Sequence, residues 1–277
     1  MHEIPSFVTV VILVFVGLFG LVIGSFLNVV IYRVPAGIPL TRASRCPLCD
    51  APVRPWQNVP VLSWMLLRGR CASCGSRISA RYPIVEALTG LVFVAVTWSV
   101  SDAWAGLPVG ALVSIVVAYL YLAAISIVLT LIDLDTRRLP NAIVVPAYFV
   151  LAGLLVIACV LGVPWEGALR AAVGGAGLFA FYLLLRMIRP GGMGGGDVKL
   201  AGVLGMALGW CGWGTLIVGS FAAFLLGGLF GVALMLTRRA GRKTAIPFGP
   251  WMIAGAWAGI LVGERVARWY IGELTLG

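Results

Sequence analysis

The stretch Gly191-Gly192-Met193-Gly194-Gly195-Gly196-Asp197-Val198-Lys199-Leu200 decides how this chain is read. Five of its first six residues are glycine, and an acid and a base follow at once. Long apolar runs flank it on both sides, so the carboxylate of Asp197 is carried to the edge of the hydrocarbon or into it. An ionisable group in that position is expensive and is a functional candidate by default. Glycines let backbone approach a partner closely and reach positive φ. The alternative is a short turn in which Asp197 does no more than cap the next helix.

Composition agrees with membrane flanks. Hydrophobic residues make up 61% of the 277 residues and charged residues 11%. With a mean hydropathy of +1.05, this excludes a soluble domain and predicts an all-α polytopic membrane protein. The net charge of +10 comes from basic residues in short loops between apolar runs. That is the pattern of membrane topology, not of a nucleic-acid partner. The single histidine, His2, sits at the N-terminus, so a histidine base is not expected.

Outward from the glycine stretch, the apolar runs predict about eight transmembrane helices. The first, about 7–31, is too long for a signal h-region and lacks a basic n-region, so it reads as a retained helix. Within its end, Gly24 and Ser25 permit close helix packing, and Asn28 needs a polar partner. Further spans are expected at about 84–100, 107–132, 142–161, 171–188, 198–210, 215–236 and from the Pro247-Phe248-Gly249-Pro250 turn to about 262. The 198–210 segment has only thirteen residues, about 20 Å of helix, too short to cross about 30 Å from a surface loop. Either Asp197 starts below the surface, or Trp210 and Trp213 fall short of the far interface. Loops with Arg and Lys alternate with loops lacking them, which places both termini outside.

The sizeable polar segment, residues 33–82, carries Arg33, Arg42, Arg45, Arg54, Arg68, Arg70, Arg77 and Arg81 against one acid, Asp50. It is expected in the cytoplasm. It also holds Cys46-Pro47-Leu48-Cys49 and Cys71-Ala72-Ser73-Cys74. Two CxxC knuckles at this spacing predict a zinc-ribbon-like insertion in which Cys46, Cys49, Cys71 and Cys74 close a tetrahedral structural zinc site. In a reducing compartment disulfides are not expected; a redox dithiol pair is the competing reading. Trp56, Trp64 and the prolines between the knuckles suit a loop resting on the bilayer interface. The chain thus divides into a first helix (1–32), a cysteine-rich insertion (33–82) and a membrane core (83–277). Cys159 and Cys211 read as small buried apolar residues, on the same side of the membrane and so candidates for a disulfide.

Two carboxylates stand out on the cytoplasmic side. Asp133 ends the third span and Asp197 begins the sixth. Two carboxylates sharing one site cannot both ionise easily; one keeps a proton as acid and the other acts as base toward water. Asp135 is a rival for Asp133, pointing about 200° away on a helix. A further alternative has Asp133 and Asp135 balancing Arg137 and Arg138 at a helix end.

Together these features resemble the type IV prepilin peptidases, members of the membrane GxGD aspartyl peptidases. The matching stretches are GSFLNVVIYRVP (24–35), CPLC, CASC, RYPIVEALTG (81–90), IDLDTRRLP (132–140), GMGGGDVKL (192–200) and PFGP (247–250). The resemblance assigns catalysis to Asp133, chosen over Asp135, and to Asp197, with Gly194 and Gly196 as the motif glycines. Asn141 departs from it, standing where many members have aspartate. The resemblance implies cleavage of type IV prepilin or type II secretion pseudopilin leaders at the cytoplasmic face of the bacterial inner membrane. It also implies methylation of the new N-terminus by S-adenosylmethionine. No glycine-rich nucleotide fingerprint marks a methyl-donor site, and hydrolysis needs no cofactor. A peptidase without methyl transfer is one alternative. A proton-coupled transporter or assembly factor, with the carboxylates as a relay, is another.

Overall fold

The computed structural model of the chain describes residues 6–189, 193–237 and 247–276. His2, Gly191, Gly192, Arg238, Arg239, Arg242 and Lys243 lie outside the described residues. Among those described the protein is helical, with two isolated antiparallel bridges, Arg45 to Pro52 and Arg70 to Arg77, in place of sheet. The helices are α1 (Ser6–Ala36), α2 (Leu62–Leu66), α3 (Arg81–Ala103), α4 (Val109–Thr136), α5 (Asn141–Val160), α6 (Glu166–Ile188), α7 (Gly195–Cys211), α8 (Trp213–Leu236), α9 (Gly249–Ala258) and α10 (Glu264–Leu276). Six of them, α1, α3, α4, α5, α6 and α8, are long and apolar enough to cross a membrane. The expected sixth and eighth spans correspond to the shorter α7 and to α9. A π-helical segment, Gly259–Gly263, continues α9 into α10, so that helix runs well past residue 262.

The chain forms two compact units: Met1–Gly106 with Tyr119–Val128, and Leu107–Ala118 with Leu129–Gly277. In the first, α1 and α3 pack antiparallel along small residues. A Cβ on Gly20 would lie 2.8 Å from Gly90 Cα, and one on Gly24 would lie 2.7 Å from Glu86 Cα. Without a hydrophobic drive between helices in lipid, such backbone approach supplies the dispersion contacts that hold the pair. Asn28 finds its partner in the carbonyl of Tyr82 at 3.1 Å. Arg33, buried at the end of α1, donates to the carbonyls of Pro39, Leu40 and Arg42, which folds the chain back as it leaves the helix. Glu86, buried on α3, accepts the N–H of Val61 at 2.7 Å. Val61 stands at φ +61, a conformation that a β-branched residue adopts at a cost of about 1–3 kcal/mol, so the glutamate bond pins a strained entry into α2.

In the second unit α7 is the core. Val198, the run from Leu200 to Gly205, and that from Ala207 to Trp210 are buried, so the helix is apolar on all sides, as an enclosed helix must be. It packs against α6 on a glycine seam. A Cβ on Gly209 would meet the Arg170 carbonyl, one on Gly205 the Gly174 carbonyl, and one on Gly175 would lie 3.1 Å from the Gly202 carbonyl. The α5 helix turns Val144, Ala147, Leu151, Leu155 and Ala158 inward at helical spacing. Its Tyr148 hydroxyl donates to the Lys199 carbonyl at 2.6 Å. On another side α8 closes against α9 where Gly255 meets Ala223, and against the π-helical segment where Gly259 meets Gly219. The length puzzle of the sixth span resolves in part at its start: the helix begins at Gly195, so Asp197 lies inside its first turn, and the seventeen residues reach about 25 Å. Trp210 is fully buried and Trp213 half-exposed. Cys159 and Cys211, whose pairing the sequence leaves open, are not joined by a disulfide, and the Cys159 thiol faces the Pro164 carbonyl.

Candidate active site and metal centre

Asp133 sits in the last turn of α4. That helix ends at Arg137, whose left-handed conformation (φ 53) lets its N–H close on the Asp133 carbonyl at 2.8 Å. The Asp133 side chain is 4% exposed. Its Oδ2 accepts the backbone N–H of Gly249, the first residue of α9, at 3.1 Å. A buried carboxylate needs such a donor, and a helix start supplies one together with the favourable end of its dipole. A Cβ at residue 249 would fall 2.7 Å from that same Oδ2, so only glycine brings the amide this close. Asp135, the rival, is exposed.

Asp197 occupies the third position of α7 and turns back to accept the N–H of Gly194 at 3.0 Å. It is therefore the cap that the conservative reading foresaw, and it is more than that, because the charge of Asp133 acts on it. Asp197 stands ahead of the Val198–Trp210 run and is pushed up to about 6, by burial first and by Asp133 second, against the pull of the Gly194 amide. The motif glycines have particular neighbours. A Cβ on Gly194 would lie 3.0 Å from Asp197 Oδ2, and one on Gly196 would lie 2.7 Å from Leu139 Cβ; one on Gly195 would meet the Arg186 guanidinium. Leu139 also lies 3.5 Å from the Cβ position of Gly249. One side chain of the α4–α5 turn thus abuts the glycine before Asp197 and the glycine that binds Asp133. Two carboxylates joined electrically, each held by one backbone amide, can divide acid and base work between them.

Sequence reading passed over the Gly249 amide and Leu139. The PFGP stretch was the available signal for the first; nothing local marks the second. Lys199 extends the network, its Nζ donating to Asn141 Oδ1 at 2.9 Å. Asn141, the departure noted above, is therefore a neutral acceptor for a lysine two residues from Asp197. Tyr182 of α6 is buried within the electrostatic reach of Asp197 and stacks among Phe181, Phe224 and Phe248.

In the first unit the four knuckle cysteines converge, with all four sulfurs within 4.8 Å of one another. The knuckles repeat one construction. Asp50 N–H closes on the Cys46 carbonyl and Gly75 N–H on the Cys71 carbonyl, both at 2.9 Å, and the residue after each second cysteine takes positive φ (Asp50 +55, Gly75 +71). Four Zn–S bonds of about 2.3 Å make a tetrahedron with edges of about 3.8 Å; the Cys46 and Cys74 sulfurs are 3.9 Å apart. The donor set therefore fits a closed tetrathiolate zinc site. The surroundings act unevenly on the sulfurs: the amides of Cys49 and Leu48 draw Cys46 down to about 6 and the Ser76 hydroxyl lowers Cys74, while Cys49, against the pull of the Ala51 amide, is pushed up to about 12 by the neighbouring sulfurs. A bound cation would supply the remaining stabilisation of four clustered sulfurs.

Two family profiles match the chain, "Bacterial Peptidase A24 N-terminal domain" over residues 18–100 and "Type IV leader peptidase family" over residues 120–232. Among curated relatives, proteins called prepilin leader peptidase/N-methyltransferase are similar along nearly the whole chain. That of Pseudomonas putida is 38% identical, covering 89% of each chain. That of Aeromonas salmonicida is 34% identical, covering 93% of each. That of Bacillus subtilis is 31% identical, covering 94% of this chain and 98% of its own. No solved structure matches. With six membrane-length helices, two bacterial leader-peptidase profiles in order and relatives matched nearly end to end, the chain belongs to the type IV leader peptidase family and is a multi-pass membrane peptidase.

Proposed function

We propose that Asp133 and Asp197 are the catalytic pair of this peptidase, with substrates of the prepilin or pseudopilin class. The observation that carries the proposal is the delivery of two carboxylates to one place, from the end of α4 and the start of α7, each anchored by a backbone amide. With Asp197 holding the shared proton, Asp133 is the base. Asp133 takes a proton from water as its oxygen attacks the scissile carbonyl carbon, and Asp197 protonates the carbonyl oxygen. Collapse of the tetrahedral intermediate then breaks the C–N bond and returns a proton to the leaving amine. No histidine or catalytic metal is required. Family membership does not favour the proton-relay alternative.

The positive loops support a cytoplasmic position for residues 33–82 and for the aspartate pair, and it is the pair that would meet a basic leader there. In this reading the zinc held by Cys46, Cys49, Cys71 and Cys74 is structural and ties together an insertion too small for a strong core of its own. The arginine-rich insertion repels a basic leader and is not its binding site. Following the names of its relatives, the protein also methylates the new N-terminus, with S-adenosylmethionine as the donor.

The test is cleavage of a synthetic prepilin leader–helix peptide in detergent, with methyl transfer from labelled S-adenosylmethionine followed alongside. Asp133→Asn and Asp197→Asn should each lose at least about 100-fold in cleavage, while Asp135→Asn stays near wild type. If the first two variants are folded and still cleave, the aspartyl assignment is wrong. Methylation of a pre-cut peptide by those variants would show a second, separate site.

A further inference from the structure

The insertion presents an apolar face that its fold leaves uncovered. On α2, Leu62 is 58% exposed, Met65 62% and Leu66 78%, and their spacing puts them on one side of the helix. The other side is fixed inward: Ser63 is buried, Trp64 donates from Nε1 to the Ile78 carbonyl at 3.2 Å, and the indole packs on Gly69. The depth of this helix follows from its pin. Val61, immediately before α2, is bonded to Glu86, and Glu86 is level with Gly24 of α1. Gly24 lies seven residues before Ile31, where the apolar run of α1 ends, about 10 Å inside it along the axis. A fully extended glutamate plus its 2.7 Å hydrogen bond falls short of that distance. The α2 helix therefore starts at the depth of the hydrocarbon boundary of its own unit.

The insertion that carries this face is basic at its surface. Arg54, Arg68, Arg70 and Arg77 are exposed, and the one acid of the insertion, Asp50, is already paired with Arg45 at 2.8 Å. A second copy on the same face would set arginines against arginines. A bilayer with anionic headgroups satisfies both features: apolar side chains enter below the phosphates and guanidiniums pair with them. We propose that the cysteine-rich insertion is stapled to the membrane by α2, with Leu62, Met65 and Leu66 in the headgroup–acyl boundary and Arg68 and Arg70 on anionic lipid phosphates. The half-exposed Trp56 of the neighbouring 3₁₀ turn suits the same interface.

Full-length protein carrying p-benzoylphenylalanine in place of Met65 or Leu66 tests this in proteoliposomes of phosphatidylcholine with a minor fraction of phosphatidylglycerol. Photolysis followed by mass spectrometry should give lipid adducts at both positions. The anionic lipid should be enriched about two- to fivefold over its mole fraction, and that enrichment should vanish on adding Arg68→Gln and Arg70→Gln. The same probe in place of Phe26, on the exposed apolar surface of α1, is the positive control. Absence of lipid adducts at 65 and 66 while position 26 labels, or a cross-link to a second copy or to another protein, would overturn the proposal.

Discussion

A methyl group at position 249 would sit 2.7 Å from Asp133 Oδ2, closer than packed atoms tolerate. Gly249→Ala should therefore displace the amide or the carboxylate and lower the cleavage rate about 10- to 100-fold, an effect of roughly 1.4–2.7 kcal/mol on the barrier. Unfolding of the detergent-solubilised variant should stay close to wild type, which separates a damaged site from a damaged fold. The Asp197 shift adds a pH prediction. A carboxyl raised to about 6 keeps its proton below that pH and loses it above. Because the pair needs one proton, cleavage should fall as pH climbs through about 6 to 7; a rate profile in which activity instead rises steadily to pH 9 would contradict the assignment of Asp197 as the acid. Asp133 and Asp197 stand out as candidates in the sequence because a charge beside an apolar run is costly wherever the chain goes. Their amide partners do not. Gly249 lies 116 residues from Asp133, and a contact made across such a distance leaves no local pattern.

At the scale of elements, the α6–α7 glycine seam sets the strongest constraint. The Gly205 Cβ position is already occupied by the Gly174 carbonyl, so Gly205→Val must push the helices apart, at a cost of about 1–3 kcal/mol. It should lower the unfolding temperature in detergent. Gly177→Ala on the same α6 faces open space and should be neutral or stabilise slightly. For the knuckles, metal analysis should find one zinc per chain, and Cys49→Ser with Cys74→Ser should bind none and leave the 33–82 segment open to proteolysis. Most spans were legible to within about five residues, since apolar length is read directly; the last was not, because its helix continues through a π-helical segment to Leu276. The sequence points to a start of α7 at Val198, because glycines read as loop; here Gly195 and Gly196 form the first turn, packed closely against Arg186 and Leu139. The α1 helix likewise runs past its apolar run, to Ala36. Pro35 argues against helix, but in the last turn its missing N–H costs only one bond, and the Arg33 guanidinium holds the chain that follows.

For the whole molecule, sidedness is the property that sequence charge predicts and helix packing does not fix. Thiol-reactive, membrane-impermeant reagent applied to intact spheroplasts should spare a cysteine placed at Arg54, within the basic insertion, and label one placed at Glu166, at the start of α6 beside a loop free of Lys and Arg. The reverse pattern would turn the topology over and put the aspartates on the wrong side for a cytoplasmic leader. The helical class and the membrane setting were plain from composition. The presence of a helix that is inside the protein rather than in the lipid was not, because an apolar segment looks the same whether its neighbours are acyl chains or other helices.

That enclosed helix has a mechanical consequence. Since α7 is sheathed by protein along nearly its whole length, bilayer thickness exerts its pull on the outer helices, which tilt or snorkel to match it, while the element bearing Asp197 is shielded from that strain. Turnover should accordingly change little between bilayers of short and long acyl chains that visibly alter the tilt of α1, so that the scissors keep their setting as the sheet around them thickens or thins.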